Sequence, residues 1–293
     1  MGRKLIICDS GAHSFTNLLF KKSKRKGGRI DWSLYKGEDF WNYVDRYAAF
    51  IKEWGDSFDY YVSVDVIRNP KLTWKVQQYL ENEHGLKPMP VVHFNTPMKW
   101  IQKYLDAGYK YIGMGGPVGK NPYTPWADRA WNLICDTPDR LPQAKIHGFA
   151  VTTYHMISRY PWFSCDSVTW KKAAYFGQAV VAFSPDNLSK TRMIFFDDQS
   201  PYLDRVKGKG RHFLHHTKSE QHQIRKWLDH IHIPFGSRNK KGKVIEEGIT
   251  NSNLVRCAAT IEYFEAVARS MPKWPWPFHR DIRPTLMEAM RDD

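Results

Sequence analysis

Short apolar runs alternate with amphipathic stretches over the first 196 residues, and this rhythm constrains the fold more than any other feature of the chain. Strand candidates fall at 4–8, 58–66, 89–94, 109–114, 145–151 and 162–166, with 179–183 and 193–196 behind them. Helical stretches at 38–54, 72–83, 97–107, 125–135 and 169–176 lie between them. In 38–54, Phe40, Tyr43, Val44, Tyr47, Ala48 and Ile51 recur at helical spacing, the mark of a helix that buries one face. The 97–107 stretch follows Asn95-Thr96, has Pro97 at its first position and stops at Gly108. Proline's fixed φ suits a first turn, and glycine tolerates a left-handed exit. Repeated βα units with short connections imply a parallel sheet. About eight strands, with aspartates at strand ends and no glycine-rich first turn, predict an α/β chain folded as a TIM-like (β/α)8 barrel rather than a doubly wound sheet.

Two of those aspartates open into small hydroxyl residues. Asp9 closes Leu5-Ile6-Ile7-Cys8 and precedes Ser10-Gly11-Ala12-His13-Ser14-Phe15. Asp166 closes Trp162-Phe163-Ser164-Cys165 and precedes Ser167-Val168-Thr169-Trp170. The C-terminal edge of a parallel barrel carries its chemistry. Two carboxylates there suit a nucleophile and an acid/base acting at a sugar carbon. The plainer alternative is that each Asp caps the helix that follows; this is the simpler reading for one alone, and chemistry is favoured for both together. Asp65 ends a third run, Tyr60-Tyr61-Val62-Ser63-Val64, and His93 holds the same kind of place after Pro90-Val91-Val92. Tyr111-Ile112-Gly113-Met114 runs into Gly115-Gly116-Pro117-Val118-Gly119. Absent side chains there let a ligand approach backbone N–H groups, although a tight turn explains the glycines equally well. The loop matches neither a P-loop nor a dinucleotide fingerprint.

The chain carries a formal charge of +14 and 12 Trp. Excess cation points to a polyanionic partner, and abundant aromatics suit both a thick core and stacking on bases. One basic run follows the Asp9 loop, where Lys21, Lys22, Lys24, Arg25 and Lys26 are candidate phosphate contacts. A second segment, at about 203–243, reads as a loop-plus-helix insertion (helix at 219–231) that includes Arg211, Lys240 and Lys241. It also holds His212, His215, His216, His222, His230 and His232. Their spacing fits no standard zinc ligand set, so they read as a solvated basic face turned to phosphates. A final helix at 251–270, with Leu254, Ala258, Ile261, Phe264 and Val267 as its apolar stripe, is expected to dock on the barrel. The Pro/Trp run at 273–278 is expected to wrap the surface. Cys8, Cys135, Cys165 and Cys257 form no C-x-x-C pair and read as reduced thiols. No apolar run reaches membrane-spanning length and no secretory leader is visible, so the expected location is the cytoplasm, with no membrane partner.

In order and spacing, these segments resemble the tRNA-guanine transglycosylase superfamily. That family has an Asp-Ser-Gly-Gly-Phe-Gln segment after its first barrel strand, of which Asp9-Ser10-Gly11-Ala12-His13-Ser14-Phe15 looks like a variant. Its base-reading Asp, the Gln after the next strand, its Gly-Gly loop and its nucleophilic Asp are matched in order by Asp65, His93, Gly115-Gly116 and Asp166. Lys145-Ile146-His147-Gly148-Phe149-Ala150 and the Asp166 segment look closer to the DNA-modifying branch found in bacteria and phages. The resemblance covers roughly residues 4–175. It implies one transglycosylase-type domain over 1–293, with the insertion at about 203–243 and a C-terminal helix and tail over 251–293. It implies Asp166 as nucleophile, Asp9 as acid/base, and Asp65, His93, Gly115, Gly116 and Ser10 around the base. His13 and His147 become possible site walls, although His147 reads first as a core histidine. The implied reaction exchanges guanine in DNA for a free 7-deazaguanine, such as preQ0 or preQ1, without a cofactor. The tRNA enzymes carry a Cys-x-Cys-x-x-Cys zinc cluster, whereas only Cys257 follows residue 165 here. No zinc is therefore expected, and tRNA is the alternative polymer. His93 in place of Gln donates or accepts at a base edge according to its tautomer. Two readings from other classes compete: a non-catalytic nucleic-acid-binding protein whose aspartates are caps, and a metal-assisted hydrolase, which would want a His-x-His at an early strand end, where this sequence has none.

Overall fold

A computed structural model of the chain describes residues 6–22, 32–116, 124–138, 141–199 and 212–271. Its described residues form two compact units. The first takes those up to Phe149 together with Tyr160–Cys165; the second takes Ala150–Arg159 and those from Asp166 onward.

The first unit is a run of parallel strands in chain order: β1 (Ile7–Cys8), β2 (Tyr60–Tyr61), β3 (Val91–His93), β4 (Tyr111–Gly115), β5 (Lys145–Phe149) and β6 (Ser164–Cys165). β1 pairs with β2, and β3-β4-β5-β6 form a four-stranded sheet. A parallel bridge between Val62 and Met89 lies just past β2 and just before β3. Helices α1 (Ala12–Lys22), α2 (Glu38–Trp54), α3 (Pro70–Asn82), α4 (Met98–Asp106) and α5 (Thr124–Ile134) supply the crossovers. α2 has the expected bounds and buries Phe40, Val44, Tyr47, Ala48 and Ile51 against Val64, Val66, Val76 and Leu80. α3 begins where the Asn69 side chain accepts from the Leu72 N–H at 3.1 Å and Pro70 takes the first turn, both favourable N-terminal devices. Another cluster gathers Val62, Met89, Val91 and Tyr111 with Ile7, Tyr60, Phe149 and Phe163. β4 is buried at every residue, as a central parallel strand must be.

The second unit contains α6 (Tyr154–Arg159), α7 (Thr169–Tyr175), β7 (Gln178–Ala182), β8 (Thr191–Phe195), α8 (Lys218–His230), β9 (Ser237–Arg238), β10 (Val244–Glu246) and α9 (Asn253–Ser270). Its core joins Ala179, Val181, Ile194, Phe196, Phe213, Ile224, Trp227, Leu228 and Tyr263.

Four expectations change. β7 and β8 pair antiparallel rather than continuing a parallel series. The link at 183–190 is too short for a parallel crossover, which needs a dozen or more residues. The chain is mixed α/β with a parallel four-stranded sheet, as expected, and among the described residues no sheet closes on itself. The helix of the basic segment is no surface addition, because α8 places Ile224, Trp227 and Leu228 in the unit's core. Nor are all its histidines solvated: His212 and His216 are buried, and the His212 Nδ1 accepts from the Leu214 N–H at 3.1 Å. Finally, α9 docks on α7 and β7 with its face rotated from the expected stripe. Leu254 is 77 % exposed, whereas Arg256, Ala259, Thr260, Tyr263 and Val267 are buried. The buried polar residues of α9 bond to backbone, although Nε of Arg256 has no hydrogen-bond partner among the described residues. Arg256 donates to the Ile249 carbonyl at 2.9 Å, and Thr260 Oγ1 accepts from the Val180 N–H at 3.1 Å. The 273–278 run lies outside the described residues. Among the described residues no helix is long and apolar enough to cross a membrane.

Candidate functional site

β1 delivers Asp9 to its C-terminal end, where the chain turns into α1. The Asp9 carboxylate accepts from the Gly11 N–H at 3.4 Å, a turn typical of Asp. Gly11 has a φ of +70°, and a Cβ there would stand 2.9 Å from the Tyr43 hydroxyl. Tyr43, on α2, donates that hydroxyl to the Ser10 carbonyl and stacks its ring on Phe15 at 4.2 Å between centroids. The Asp9–Ser10–Gly11 turn is thus clamped from the neighbouring helix. Asp9 is exposed; Ser10 is buried, its Oγ without a hydrogen-bond partner among the described residues. Burial raises the Tyr43 phenol above its ordinary range, and the Asp9 and Asp65 carboxylates raise it further. Tyr43 therefore stays neutral near both acids.

Asp65 follows the buried Val64, and its Oδ2 lies 2.6 Å from Nε2 of His93 at the end of β3. The carboxylate and imidazole are 12 % and 18 % exposed. His93 sits across from Gly115 in the ladder, and a Cβ on Gly115 would come within 2.6 Å of Nδ1. Glycine is required here for space, because the ring lies over its Cα. A neutral imidazole that donates Nε2–H to a carboxylate keeps Nδ1 as an acceptor. The Gly116 N–H donates to the Phe149 carbonyl at 2.9 Å, so it is committed within the sheet rather than turned to a ligand carbonyl.

Beside this pair opens a cavity of about 430 Å³, lined among others by Arg68, His93, Phe94, Asn95, Thr96 and Gly116. It falls within the ordinary range for small-molecule sites. Two of its lining residues have left-handed backbones without being glycine: Arg68 at φ +65° and Asn95 at φ +64°. Such conformations persist where the surroundings enforce them, and they cluster at ligand sites. Here the turn after β3 is pinned twice. Thr96 Oγ1 accepts from the His93 N–H at 3.2 Å, and the Trp126 indole donates to the Thr96 carbonyl at 2.9 Å. Sequence reading missed Arg68 and Asn95 as site residues, as it missed Tyr43. Asn69-Pro70 and Asn95-Thr96-Pro97 were visible as turn signals, and such turns at strand ends are where ligand-facing residues concentrate.

Asp166 belongs to the second unit and follows β6 directly. Its exposed carboxylate accepts the Ala150 N–H at 2.8 Å, and Ala150 has a φ of +56°. The first amide of α7, that of Thr169, donates to Ser167 Oγ at 2.8 Å, so the helix start is served by Ser167. His13 is exposed on α1. His147 is buried, with Nδ1 2.6 Å from Ser164 Oγ, which also meets the Tyr111 hydroxyl at 2.5 Å. Its ring packs on Phe149 at 4.4 Å, the environment of a core histidine. Lys240 and Lys241 are exposed at the tip joining β9 to β10, where Asn239 Oδ1 accepts from the Lys241 and Lys243 N–H groups at 2.9 and 3.0 Å. Lys24, Arg25, Lys26 and Arg211 lie outside the described residues, as do the side chains of Lys21 and Lys22. Among the described residues no group of three or more His, Cys, Asp or Glu is placed to hold a metal ion. Comparisons of the chain with protein-family models, with curated proteins and with solved structures find no match.

Proposed function

We propose that this protein is a transglycosylase of the tRNA-guanine transglycosylase type, acting on DNA, which exchanges guanine for a 7-deazaguanine base such as preQ0 or preQ1. In this reading the six ordered parallel strands are the arc of a (β/α)8 barrel. The observation that carries it is the Asp65–His93 pair beside a cavity at the strand ends. Asp65 keeps one carboxylate oxygen for a ligand after binding His93, and Nδ1 of His93 is a second acceptor whenever the imidazole is neutral. Guanine and its 7-deaza analogues present two donors on one edge, the N1–H and the exocyclic amine. Arg68 and Asn95, which line the same cavity, supply donors for the base carbonyl.

The chemistry assigned to the two strand-end aspartates is a double displacement. A carboxylate oxygen of Asp166 attacks C1′ of the nucleotide while the C1′–N9 bond breaks through an oxocarbenium-like transition state. The leaving guanine takes the bond's electron pair and a proton from Asp9. Asp9 then accepts the N9 proton of the incoming deazaguanine, whose nitrogen attacks C1′ and releases Asp166. The sugar retains its configuration, and no metal or organic cofactor enters the balance. The nucleotide must leave any duplex stack first, at a cost of a few kcal/mol. The net charge of +14 supports a polyanionic substrate.

The test incubates the protein with DNA and, separately, with tRNA, in the presence of labelled 7-deazaguanine bases. Label should enter DNA, and Asp166→Ala should abolish incorporation while leaving nucleic-acid binding intact. Incorporation into tRNA alone would change the polymer. No incorporation into either, or full activity in Asp166→Ala, would overturn the reading.

A further inference from the structure

α7 buries only small residues. Ala173 and Ala174 turn inward, and the helix packs on β7 and α9. Its other face is built from larger groups. Val168, Lys171, Lys172 and Tyr175 recur at i, i+3, i+4 and i+7, one side of a helix, and with Phe176 they line a shallow groove of about 240 Å³. Val168 is 71 % exposed, Tyr175 78 % and Phe176 43 %, with Lys171 and Lys172 also exposed between them. The Tyr175 and Phe176 rings meet edge to face at 5.6 Å. Contiguous exposed apolar surface of this kind marks an interaction site.

The charge pattern selects the occupant. The core of a protein–protein interface is depleted in lysine, yet two lysines stand inside this apolar face. Aromatic rings interleaved with ammonium groups are what an unpaired nucleic-acid strand requires: the rings stack on base faces and the cations meet phosphates. A duplex hides its base faces and cannot use the rings. We propose that the Val168–Lys171–Lys172–Tyr175–Phe176 face is a platform for unstacked nucleotides, immediately following in sequence the aspartate assigned to the nucleophilic step. The inference rests on the nucleic-acid part of the reading above and adds that the strand engaged is single-stranded or locally opened.

The experiment measures anisotropy of a labelled oligothymidylate and of a labelled duplex with the full chain over a range of salt. Tyr175→Ala should weaken oligothymidylate binding by about tenfold, the scale of losing one stacked base, and Tyr175→Phe should restore it. Lys171→Gln with Lys172→Gln should reduce the single-strand salt slope by about 1.4 units, roughly 0.7 for each phosphate contact. Both sites are exposed, so circular dichroism should remain that of the parent chain. Unchanged oligothymidylate affinity and slope in these variants, with parental binding intact, would overturn the platform and leave the proposed function standing. A parent chain that binds no nucleic acid would overturn both. Self-association abolished by Tyr175→Ala would assign the face to a second copy and overturn the platform.

Discussion

His93 owes its position to three neighbours: the Asp65 carboxylate at Nε2, Thr96 at its backbone N–H, and the bare Cα of Gly115 under its ring. The last is the most economical place to test the base-reading assignment. A methyl on Gly115 would come within 2.6 Å of Nδ1, and an imidazole can yield by rotating away while the backbone stays put. Gly115→Ala should therefore weaken 7-deazaguanine binding by about tenfold in calorimetry, the scale of one lost hydrogen bond to a well-placed group. The loss should not add to that of His93→Ala, because both changes remove the same contact. Additive losses would mean that Gly115 acts through something other than His93.

At the scale of elements, polar groups turned inward decide the packing of α9. Thr260 Oγ1 accepts the Val180 N–H at 3.1 Å and donates to the Arg256 carbonyl at 3.1 Å. Thr260→Val keeps the shape and strands the buried Val180 N–H, which should destabilise the protein by about 1–3 kcal/mol, seen as a lower urea midpoint with unchanged m. An unchanged midpoint would show that Val180 finds another partner. The same two polar residues explain why the helix's face was not legible: Arg256 and Thr260 read as solvent-facing, so the apolar stripe was drawn through Leu254 and Ile261. Helices α2, α3, α4, α5 and α8 were legible within a few residues: an apolar stripe marked α2, and a proline start with a glycine stop marked α4. α1 was missed, although Ala12, Phe15 and Leu19 stand at helical spacing before the lysine-rich run. The Asp9, Asp65 and Asp166 strand ends were legible as apolar runs that stop at a carboxylate. The Asp65–His93 bond, between strand ends distant in sequence, and the Tyr43 clamp depend on strand neighbours that no local pattern specifies.

His212 offers a second element-scale test. Its pKa lies below the ordinary 6.5, first because burial disfavours the imidazolium and then because of His215, with Asp197 and Asp198 opposing. The unfolded chain therefore binds a proton that the folded chain resists. This leaves stability unaffected well above 6.5 and lowers it as pH falls below that value toward the depressed folded pKa. His212→Asn keeps an acceptor for the Leu214 N–H and removes the titration. The variant should show a shallower loss of stability below about pH 6.5 in denaturant titrations. An identical acid limb in the parent and the variant would place the titration elsewhere.

For the molecule as a whole, the surplus of cation bears on the proposed polyanionic substrate, and the β9–β10 tip presents part of it. Asn239 Oδ1 holds the Lys241 and Lys243 amides, and the Arg238 guanidinium reaches the Gly242 carbonyl at 3.0 Å and Asp198 at 3.3 Å. The turn is therefore fixed by its backbone and by its neighbours, which leaves the Lys240 and Lys241 side chains outside the network. Replacing both by Gln should preserve the hairpin while removing two cations that are free to meet phosphate. Each duplex phosphate contact contributes about −0.9 to the slope of log affinity against log salt. The double variant should flatten that slope by up to about 1.8 units and weaken DNA binding uniformly across sequences, because phosphates carry no base identity. Under the proposed function the base exchanged should not change, since its recognition is assigned there to Asp65 and His93. A parental salt slope in the double variant would make these lysines a solvated tip and shift the duplex contacts to other cations of the chain.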